Sequence, residues 1–177
     1  VAYSGPLAVL VNRFSASASE IFSGAIQDYR RGIILGEQTF GKGTVQNLID
    51  LNRLSSQKNL NMGQVKLTIA KYYRVNGGST QNLGVVPDIT FPSYIDPQEF
   101  GESSEPSALP WDQIDASDYK LVINLNKILP ELLSSSEKRR SVDPEFQYLN
   151  EDIETYRQSR NQKYISLNEE IRNQKKE

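Results

Sequence analysis

An apolar run from Leu7 to Val11 contains no polar residue and is followed at once by a helical pattern, and this succession strongly constrains the fold. A short continuous apolar run is typical of a strand buried on both faces in a parallel sheet. Gly32 is the expected C-cap of the helix, and Ile33 to Leu35 form a second short apolar run. Strand, helix and strand in this order predict a right-handed βαβ unit, and hence an α/β fold. The predicted helix places its apolar residues three and four apart, in one stripe: Ala18, Ile21, Phe22, Ala25, Ile26 and Tyr29.

The next part of the chain is predicted to be mostly β. Thr44 to Leu51 and Gln64 to Tyr73 are rich in β-branched and aromatic residues, which predicts two strands of a hairpin. The intervening residues 52–63 are polar, and they are long enough to be mobile or to contact a substrate. A turn at Asn76 to Gly78 follows, and we expect this part of the chain to end near Pro92.

The composition changes after residue 95. Residues 96–118 are rich in proline, serine and acidic residues, with Trp111 as the one large apolar anchor. We therefore interpret this stretch as a linker that partly packs back onto the preceding part. The chain is predicted to consist of a mixed, mostly β part (1–95), a linker (96–118) and an α-helical C-terminal extension (119–177).

The extension has more than one helical segment. Leu121 to Leu133 has a helical pattern that Pro130 interrupts, and this proline should kink or restart the helix. Asp143, Pro144 and Glu145 provide an N-cap, a proline at the first helical position and an acid. The apolar stripe that follows slips once, which indicates two helices or one bent helix. Packing on the chain's own domain explains such a stripe more simply than a coiled coil with a partner does. The stripe consists of Phe146, Leu149, Ile153 and Tyr156, then Tyr164, Leu167 and Ile171.

Composition limits the chemistry that this chain can perform. The net charge is −2 and the pI about 5.4, so no basic field favours nucleic acid. The 177 residues include no histidine and no cysteine, which excludes a Ser-His-Asp triad, a cysteine nucleophile and a disulfide framework within the chain. We expect no cofactor. The lack of cysteine fits an oxidising and a reducing compartment equally well, so composition does not decide the location.

A turn rich in serine joins the first predicted strand to the helix. Arg13 to Glu20 contains Ser15, Ser17 and Ser19 at a helix N-terminus, where free main-chain N–H groups and the helix dipole favour a developing oxyanion. Such a turn suits a serine nucleophile. The alternative is that these serines are only helix caps, because Ser17 and Glu20 have the spacing of a capping box.

A second, glycine-flanked turn from Phe40 to Gln46 presents Lys42. The two turns flank one predicted βαβ unit and could meet at the same end of the sheet. A serine activated by a neutral lysine is a nucleophilic chemistry that the composition leaves open. A lysine loses its proton near neutral pH only if its pKa falls well below about 10.4, and burial in an apolar pocket is the usual cause.

Two hypotheses from other classes compete with a serine–lysine site. Gly36 to Lys42 fits the first seven positions of a phosphate-binding P-loop. However, Gly43 stands where a serine or threonine should bind magnesium, and the next residues predict a strand where a P-loop needs a helix N-terminus. A P-loop NTPase is therefore disfavoured. The other hypothesis is a binding or scaffold module in which the serines only cap the helix and Lys42 is a solvated turn residue.

Four stretches, in order along roughly the first half of the chain, resemble the tail-specific proteases. This family, also called C-terminal processing peptidases, consists of serine–lysine endopeptidases. The resemblance implies that Ser17 is the nucleophile, that Lys42 is its base and that Gln46 orients the lysine. It also implies that the main-chain N–H of Ala18 is one donor of the oxyanion hole. The matching stretches are Phe14 to Glu20, Phe40 to Gln46, Tyr73 to Gln81 and Gly84 to Ile89.

The same resemblance implies a larger enzyme. Residues 1–95 would be the C-terminal part of its catalytic domain, with a peptide-binding PDZ domain, the remaining catalytic sheet and a second oxyanion donor upstream. The implied substrates are proteins with exposed apolar C-termini, and the implied location is the bacterial cell envelope, in the periplasm. We expect the chain to be a fragment, because Val1 to Pro6 lead into the first strand without a preceding element. We also expect it to be inactive alone, because it would lack the second oxyanion donor and the peptide-binding domain. An unpaired sheet edge would favour pairing with a second copy or with a retained upstream piece.

Overall fold

The computed structural model describes residues 3–54, 61–164 and 166–174. Within these ranges the chain combines strands and α-helices, which confirms the predicted α/β fold class. None of the helices in the described ranges is long and apolar enough to cross a membrane. In chain order the elements are β1 (Ala8–Val11), α1 (Ala18–Asp28), β2 (Ile33–Gly36), β3 (Thr44–Asp50), β4 (Gln64–Lys71), β5 (Ile89–Thr90), α2 (Leu129–Val142), α3 (Pro144–Asn161) and α4 (Glu169–Gln174).

A three-stranded parallel sheet holds the core. Strand β2 lies in the middle, with β1 on one side and β5 on the other. Helix α1 connects β1 to β2, so the predicted βαβ unit is confirmed. The buried residues Val11, Ile34 and Val85 form the apolar cluster, and Val9 and Ile26 pack against it.

Strand β1 is buried on one face only, which corrects the expectation of burial on both. Side chains along a strand alternate between the two faces of the sheet. Val9 and Val11 point into the core, whereas Leu10 is 72% exposed. The described residues therefore cover one side of this strand and leave the other open.

Helix α1 ends before Gly32, so the prediction of Gly32 as the C-cap is wrong. Tyr29 is the C-cap, and Arg30 takes a left-handed conformation with φ 52°. The N–H groups of residues 30 and 31 donate to carbonyls of the last helical turn at 3.0 Å, in the pattern of a Schellman motif. Gly32 has a different role, because a Cβ there would lie 2.5 Å from the carbonyl oxygen of Leu7.

The buried face of α1 is polar. Ile21 and Phe22 of the predicted apolar stripe are 50% and 55% exposed, whereas Glu20 and Asp28 are buried. Glu20 accepts hydrogen bonds from the turn after β2, and Asp28 pairs with Arg74 just beyond β4. The helix is therefore positioned largely by buried polar contacts to two loops.

Strands β3 and β4 form the predicted antiparallel hairpin. Their pairing runs from Thr44 opposite Lys71 to Asp50 opposite Gln64, with a β-bulge between Val45 and Gln46. The loop that joins the strands is the stretch predicted to be mobile or to contact a substrate. Its residues 55–60 lie outside the described residues.

Residues 95–118, here called the wrapping segment, lie along the α/β part. The indole Nε1 of Trp111 donates to the carbonyl oxygen of Ser79 at 2.9 Å. Lys71 Nζ and Asp112 Oδ1 form an ion pair at 2.7 Å. Main-chain hydrogen bonds also join this segment to residues 75–79. The predicted linker is thus attached to the α/β part along much of its length.

The helical extension starts later than predicted. Residues 121–128 form turns instead of the expected helix, and α2 begins at Leu129 with Pro130 in its first turn. Proline is tolerated there because its missing N–H would have no intrahelical partner. Helix α3 starts as predicted, since the side chain of Asp143 accepts from the N–H groups two and three residues on, at 2.9 and 3.3 Å.

Helix α3 packs on its own chain, as the simpler alternative predicted. The ring of Phe146 meets Phe91 with centroids 6.0 Å apart, and Tyr156 meets Tyr94 at 5.9 Å. Helix α4 is separate from α3, so the slip in the apolar stripe marks two helices. Leu167, in the second part of the stripe, is 91% exposed.

Candidate active site

Ser17 is the N-cap of α1, on the turn that follows β1. Its backbone has φ 54° and ψ −110°, a left-handed conformation that is uncommon for a residue with a side chain. The side chain is half-buried and makes no cap hydrogen bond. A backbone in such a sparsely populated region persists only where the surroundings hold it, and it is found disproportionately at functional sites.

The other serines of this turn have different surroundings. The Asn12 N–H donates to Ser15 Oγ at 3.2 Å, and this hydroxyl donates back to Asn12 Oδ1 at 3.4 Å. Ser19 lies exposed in the first turn of α1. The N–H of Ala18 makes no hydrogen bond within the described residues, as is normal for the first N–H of a helix. A main-chain donor is therefore free next to Ser17.

Lys42 and Gln46 are in direct contact. Lys42 Nζ donates to Gln46 Oε1 at 2.9 Å, and both side chains are half-buried. The side-chain amide of Gln46 also approaches Thr68 Oγ1 on β4, at 3.5 Å. The predicted base and its predicted orienting residue thus lie together at the start of the β3–β4 hairpin.

Glu20 connects the serine turn to the lysine turn, and it was not among the predicted site residues. Its side chain is fully buried. Oε2 accepts the N–H groups of Ser17 at 2.8 Å and Lys42 at 2.9 Å. Oε1 accepts the N–H of Gly41 at 2.7 Å and the hydroxyl of Thr39 at 2.5 Å. One carboxylate therefore holds four donors from two separate turns.

Burial raises the pKa of Glu20 above its usual value, and the hydrogen bonds from these four donors oppose that rise. The sequence did contain a signal for this residue, because the spacing of Ser17 and Glu20 predicts a capping box. The glutamate half of that box is present. The contacts with residues 39–42 join positions about twenty residues apart, so no local pattern indicated them.

Tyr72 contacts the same two turns from the other side. Its hydroxyl donates to the carbonyl oxygen of Lys42 at 2.6 Å and lies 3.2 Å from the carbonyl oxygen of Ser17. Thr80 Oγ1 donates to this hydroxyl at 2.9 Å. Burial raises the pKa of Tyr72 to about 12, so the phenol stays protonated at neutral pH.

A groove of about 570 Å³ opens in front of Lys42. One wall consists of the lysine turn and the β3–β4 hairpin, and the other consists of residues 102–109 of the wrapping segment. Charged side chains from both walls and small apolar side chains line it. The lining residues are Ala16, Phe40, Lys42, Thr44, Gln46, Lys66, Thr68, Glu102, Glu105, Ser107, Ala108 and Leu109.

Arg13 attaches the wrapping segment to the serine turn. Its buried guanidinium donates to the carbonyl oxygens of Pro97 at 2.7 Å and Phe100 at 2.5 Å, and also to that of Thr39. The Phe100 ring packs edge-on against Phe14 with centroids 5.0 Å apart. The second wall of the groove is therefore anchored beside the candidate nucleophile.

Ser17 and Lys42 are brought together through shared partners. Both N–H groups donate to Glu20, and both carbonyl oxygens lie within hydrogen-bonding distance of the Tyr72 hydroxyl. Among the described residues, no direct hydrogen bond joins the Ser17 hydroxyl to the Lys42 amine. Catalytic hydrogen bonds are often long in a protein without substrate and shorten once substrate binds.

The phosphate-binding alternative does not fit the local structure. Gly43 is followed by strand β3, whereas a P-loop requires the N-terminus of a helix at that point. Within the described ranges, no group of three or more Cys, Asp or Glu side chains is arranged to hold a metal ion.

Comparison with known proteins identifies two matching families. Residues 1–91 match peptidase family S41, and residues 95–177 match the C-terminal domain of tail specific protease. A tail-specific protease of Haemophilus influenzae is 49% identical over 173 residues, which are 96% of this chain and 25% of that protein. A carboxy-terminal-processing protease of Bartonella bacilliformis is 49% identical over 84 residues, which are 48% of this chain and 18% of that protein.

A solved structure, that of a photosystem II D1 C-terminal processing protease, is 43% identical with a TM-score of 0.41, and the match covers 52% of this chain and 21% of that one. The chain thus spans about a quarter or less of the length of these relatives. The first family match covers 91 of the 177 residues. On this basis, the chain belongs to peptidase family S41.

Proposed function

We propose that this chain carries the catalytic residues of a serine endopeptidase that works by a Ser17–Lys42 dyad. Ser17 Oγ attacks the carbonyl carbon of the scissile bond, and the neutral amine of Lys42 takes its proton. The carbonyl oxygen becomes an oxyanion, to which the Ala18 N–H donates. Gln46 orients the amine.

The remaining steps restore Ser17 and Lys42 to their starting protonation states. Lys42 gives its proton to the nitrogen of the leaving peptide as the carbon–nitrogen bond breaks, which leaves an ester on Ser17. Lys42 then takes a proton from water, whose oxygen attacks the ester carbon. The ester bond breaks, the Ser17 oxygen regains a proton from Lys42, and the acid product leaves.

The contact between Lys42 and Gln46 carries this proposal. The amine donates to Gln46 Oε1 at 2.9 Å, in a groove that is also lined by Ala16, the neighbour of the strained Ser17. A neutral amine that donates one hydrogen to Gln46 keeps its lone pair for another partner. Glu20 supports the arrangement by binding both turns, and the free Ala18 N–H supports the assignment of the oxyanion donor.

Substrate and location are proposed from the relatives. Their names describe proteases that are tail-specific or process carboxyl termini. We propose that the substrates here are likewise proteins, cut near exposed apolar C-terminal tails. We propose a location in the bacterial cell envelope, in the periplasm, as the family resemblance implies. A relative from the bacterium Haemophilus influenzae that matches along 96% of this chain supports the bacterial part of this proposal. The working partner of this chain is the upstream part of such a protease, with its PDZ domain and remaining catalytic sheet.

The test is cleavage by the longer protein that carries this chain, using an unstructured polypeptide with an apolar C-terminal tail. Ser17→Ala should reduce kcat by about a thousandfold or more. Ser15→Ala and Ser19→Ala are matched controls in the same turn and should keep most of the activity. Equal losses in all three folded variants would contradict the assignment. If the longer protein cleaves the substrate equally well with Ser17→Ala, this chain does not carry the nucleophile. That result would favour the alternative that the chain is a binding or scaffold module.

A further inference from the structure

Tyr72 lies just after β4, and its main chain continues the contact between the hairpin and the lysine turn. Its N–H donates to the carbonyl oxygen of Gly43 at 3.0 Å. Its ring is half-buried, and its hydroxyl reaches into the space between the serine turn and the lysine turn. The main chain of this tyrosine is thus fixed next to Lys42.

The hydrogen bonds of the Tyr72 hydroxyl have a definite polarity. Thr80, which is fully buried, donates to the phenol oxygen at 2.9 Å. The phenol proton is therefore left for the two carbonyl oxygens, with Lys42 at 2.6 Å as the main acceptor and Ser17 at 3.2 Å as the secondary one. Because the phenol stays protonated at neutral pH, this donor is always present.

The two candidate catalytic residues are consequently held on both sides of their main chain. The N–H groups of Ser17 and Lys42 share Glu20 Oε2, and their carbonyl oxygens share the Tyr72 hydroxyl. Each residue is therefore fixed in position and in rotation about its own backbone. These hydrogen bonds at both ends of the residue stabilise the left-handed conformation of Ser17 and fix its position next to Lys42.

We propose that Tyr72 is a positioning residue that sets the geometry of Ser17 and Lys42 through their main-chain carbonyl groups. This inference rests on the proposed function and extends it. Tyr72 does not contact the reacting atoms. Its effect is to keep the Ser17 hydroxyl and the Lys42 amine at a productive distance, and a displacement of about 1 Å between such groups can lower a rate about a hundredfold.

The test is steady-state kinetics of Tyr72→Phe in the longer protein that carries this chain. The change removes one oxygen atom and leaves the ring. We expect kcat to fall about ten- to a hundredfold, with KM within about twofold of the parent, since the groove is lined by other side chains. The matched control is Tyr73→Phe, whose hydroxyl instead donates to Asp112 at 3.1 Å and whose loss should leave both constants near the parent values.

A second pair of variants separates positioning from folding. Thr80→Val removes the donor to the Tyr72 oxygen and should lower kcat, but by less than Tyr72→Phe does. Thr80→Ser keeps the hydroxyl, so its kcat should be close to that of the parent. All rates are normalised to the folded fraction measured by circular dichroism. If Tyr72→Phe does not fold, the two Thr80 variants still decide the question.

Parent-like kcat in Tyr72→Phe or Thr80→Val, together with an inactive Ser17→Ala, would overturn this inference and leave the proposed function intact. A rise in KM with unchanged kcat would also overturn it, because substrate binding and not the dyad would then be affected. An active Ser17→Ala would overturn the proposed function, and this inference with it.

Discussion

Ser17 is half-buried and has an unfavourable backbone conformation, which of itself costs about 1–3 kcal/mol. The surroundings offset this strain with charge-assisted and buried hydrogen bonds at both ends of the residue. The buried carboxylate of Glu20 is the central partner, since its Oε2 accepts hydrogen bonds from the N–H groups of both Ser17 and Lys42. At this scale the site is a set of main-chain contacts around two side chains.

Replacement of Lys42 by arginine separates base chemistry from positive charge. Arginine keeps the charge but does not lose its proton in proteins, so it cannot accept the proton of Ser17. We expect Lys42→Arg to lower kcat by about a hundred- to ten-thousandfold in the longer protein. Lys71→Arg, which keeps a cation beside Asp112, is the control. Near-parent turnover in Lys42→Arg would exclude its role as the base.

Glu20 should give the stability of the chain a specific pH dependence. Its pKa is raised in the folded state, so the folded chain retains a proton that the unfolded chain has already released. The free energy of unfolding is therefore highest below the ordinary glutamate pKa and falls as pH rises through the raised value. Glu20→Gln should remove this dependence of the free energy of unfolding on pH.

The measurement is urea unfolding of the parent and Glu20→Gln chains across acidic to neutral pH. The exposed residue Glu137 provides the control substitution, Glu137→Gln, whose free energy of unfolding should depend on pH as that of the parent does. If the parent and Glu20→Gln curves run parallel over the whole range, the raised pKa of Glu20 is contradicted.

At the scale of elements, the wrapping segment makes the second wall of the groove. It is attached through Arg13 and through the ring of Phe100, which meets Phe14 at 5.0 Å and Phe40 at 5.8 Å. These contacts lie beside the serine turn. Loosening this segment should therefore affect both stability and the shape of the groove.

Phe100→Ala is the corresponding prediction. Loss of two edge-on ring contacts and part of the buried area should lower the free energy of unfolding by about 1–3 kcal/mol. Leu167→Ala is the control, because Leu167 is 91% exposed and its loss should change stability by less than about 0.5 kcal/mol. Denaturant unfolding of both variants gives the comparison. Equal losses in the free energy of unfolding for Phe100→Ala and Leu167→Ala would show that the ring contacts do not hold the wrapping segment.

The elements that the sequence predicted well are those with local signals. The βαβ unit followed from two apolar runs around a helical pattern, and α3 followed from the Asp143 cap. The errors concern burial and long-range contacts. Leu10 and Ile21 are apolar but exposed, because a pattern indicates which residues can be buried and not which surface covers them. The helix expected over 121–128 is replaced by turns, whereas Pro130 lies in the first turn of α2, in agreement with the alternative that it restarts the helix.

The candidate site was predictable to a similar extent. Lys42 and Gln46 are close in sequence and both belong to one turn and strand, so their contact followed from a single motif. Tyr72 is 30 residues from Lys42 and 55 from Ser17, and its role depends on how β4 pairs with β3. Glu20 had a local signal, but that signal described only its role as a helix cap.

At the scale of the whole molecule, the described chain leaves much apolar surface open. The β3–β4 hairpin exposes Val45, Leu48, Val65, Leu67 and Ile69, and the sheet of β1, β2 and β5 exposes Leu10. Val65, Leu67 and Ile69 alternate along β4 and so share one face of the hairpin, and neighbouring exposed apolar side chains of this kind mark an interaction site. We expect the upstream part of the protease, or a second copy of the chain, to cover it.

This surface leads to a prediction for the 177-residue chain by itself. With the Ala18 N–H as its one proposed oxyanion donor, the chain should cleave unstructured substrates about a hundred- to a thousandfold more slowly than the longer protein. It should also associate with other copies. The checks are a cleavage assay and the solution mass from light scattering. Rapid Ser17-dependent cleavage by a monomer would contradict both parts.

The most direct measurement of the central claim is a double-mutant cycle in the longer protein. The turnover of an unstructured substrate with an apolar tail is compared for the parent, Ser17→Ala, Lys42→Ala and the double variant. Groups that act as one catalytic unit are strongly non-additive, so the double variant should be no slower than either single variant, within about threefold. If the two losses multiply instead, Ser17 and Lys42 act independently and the proposed dyad is wrong.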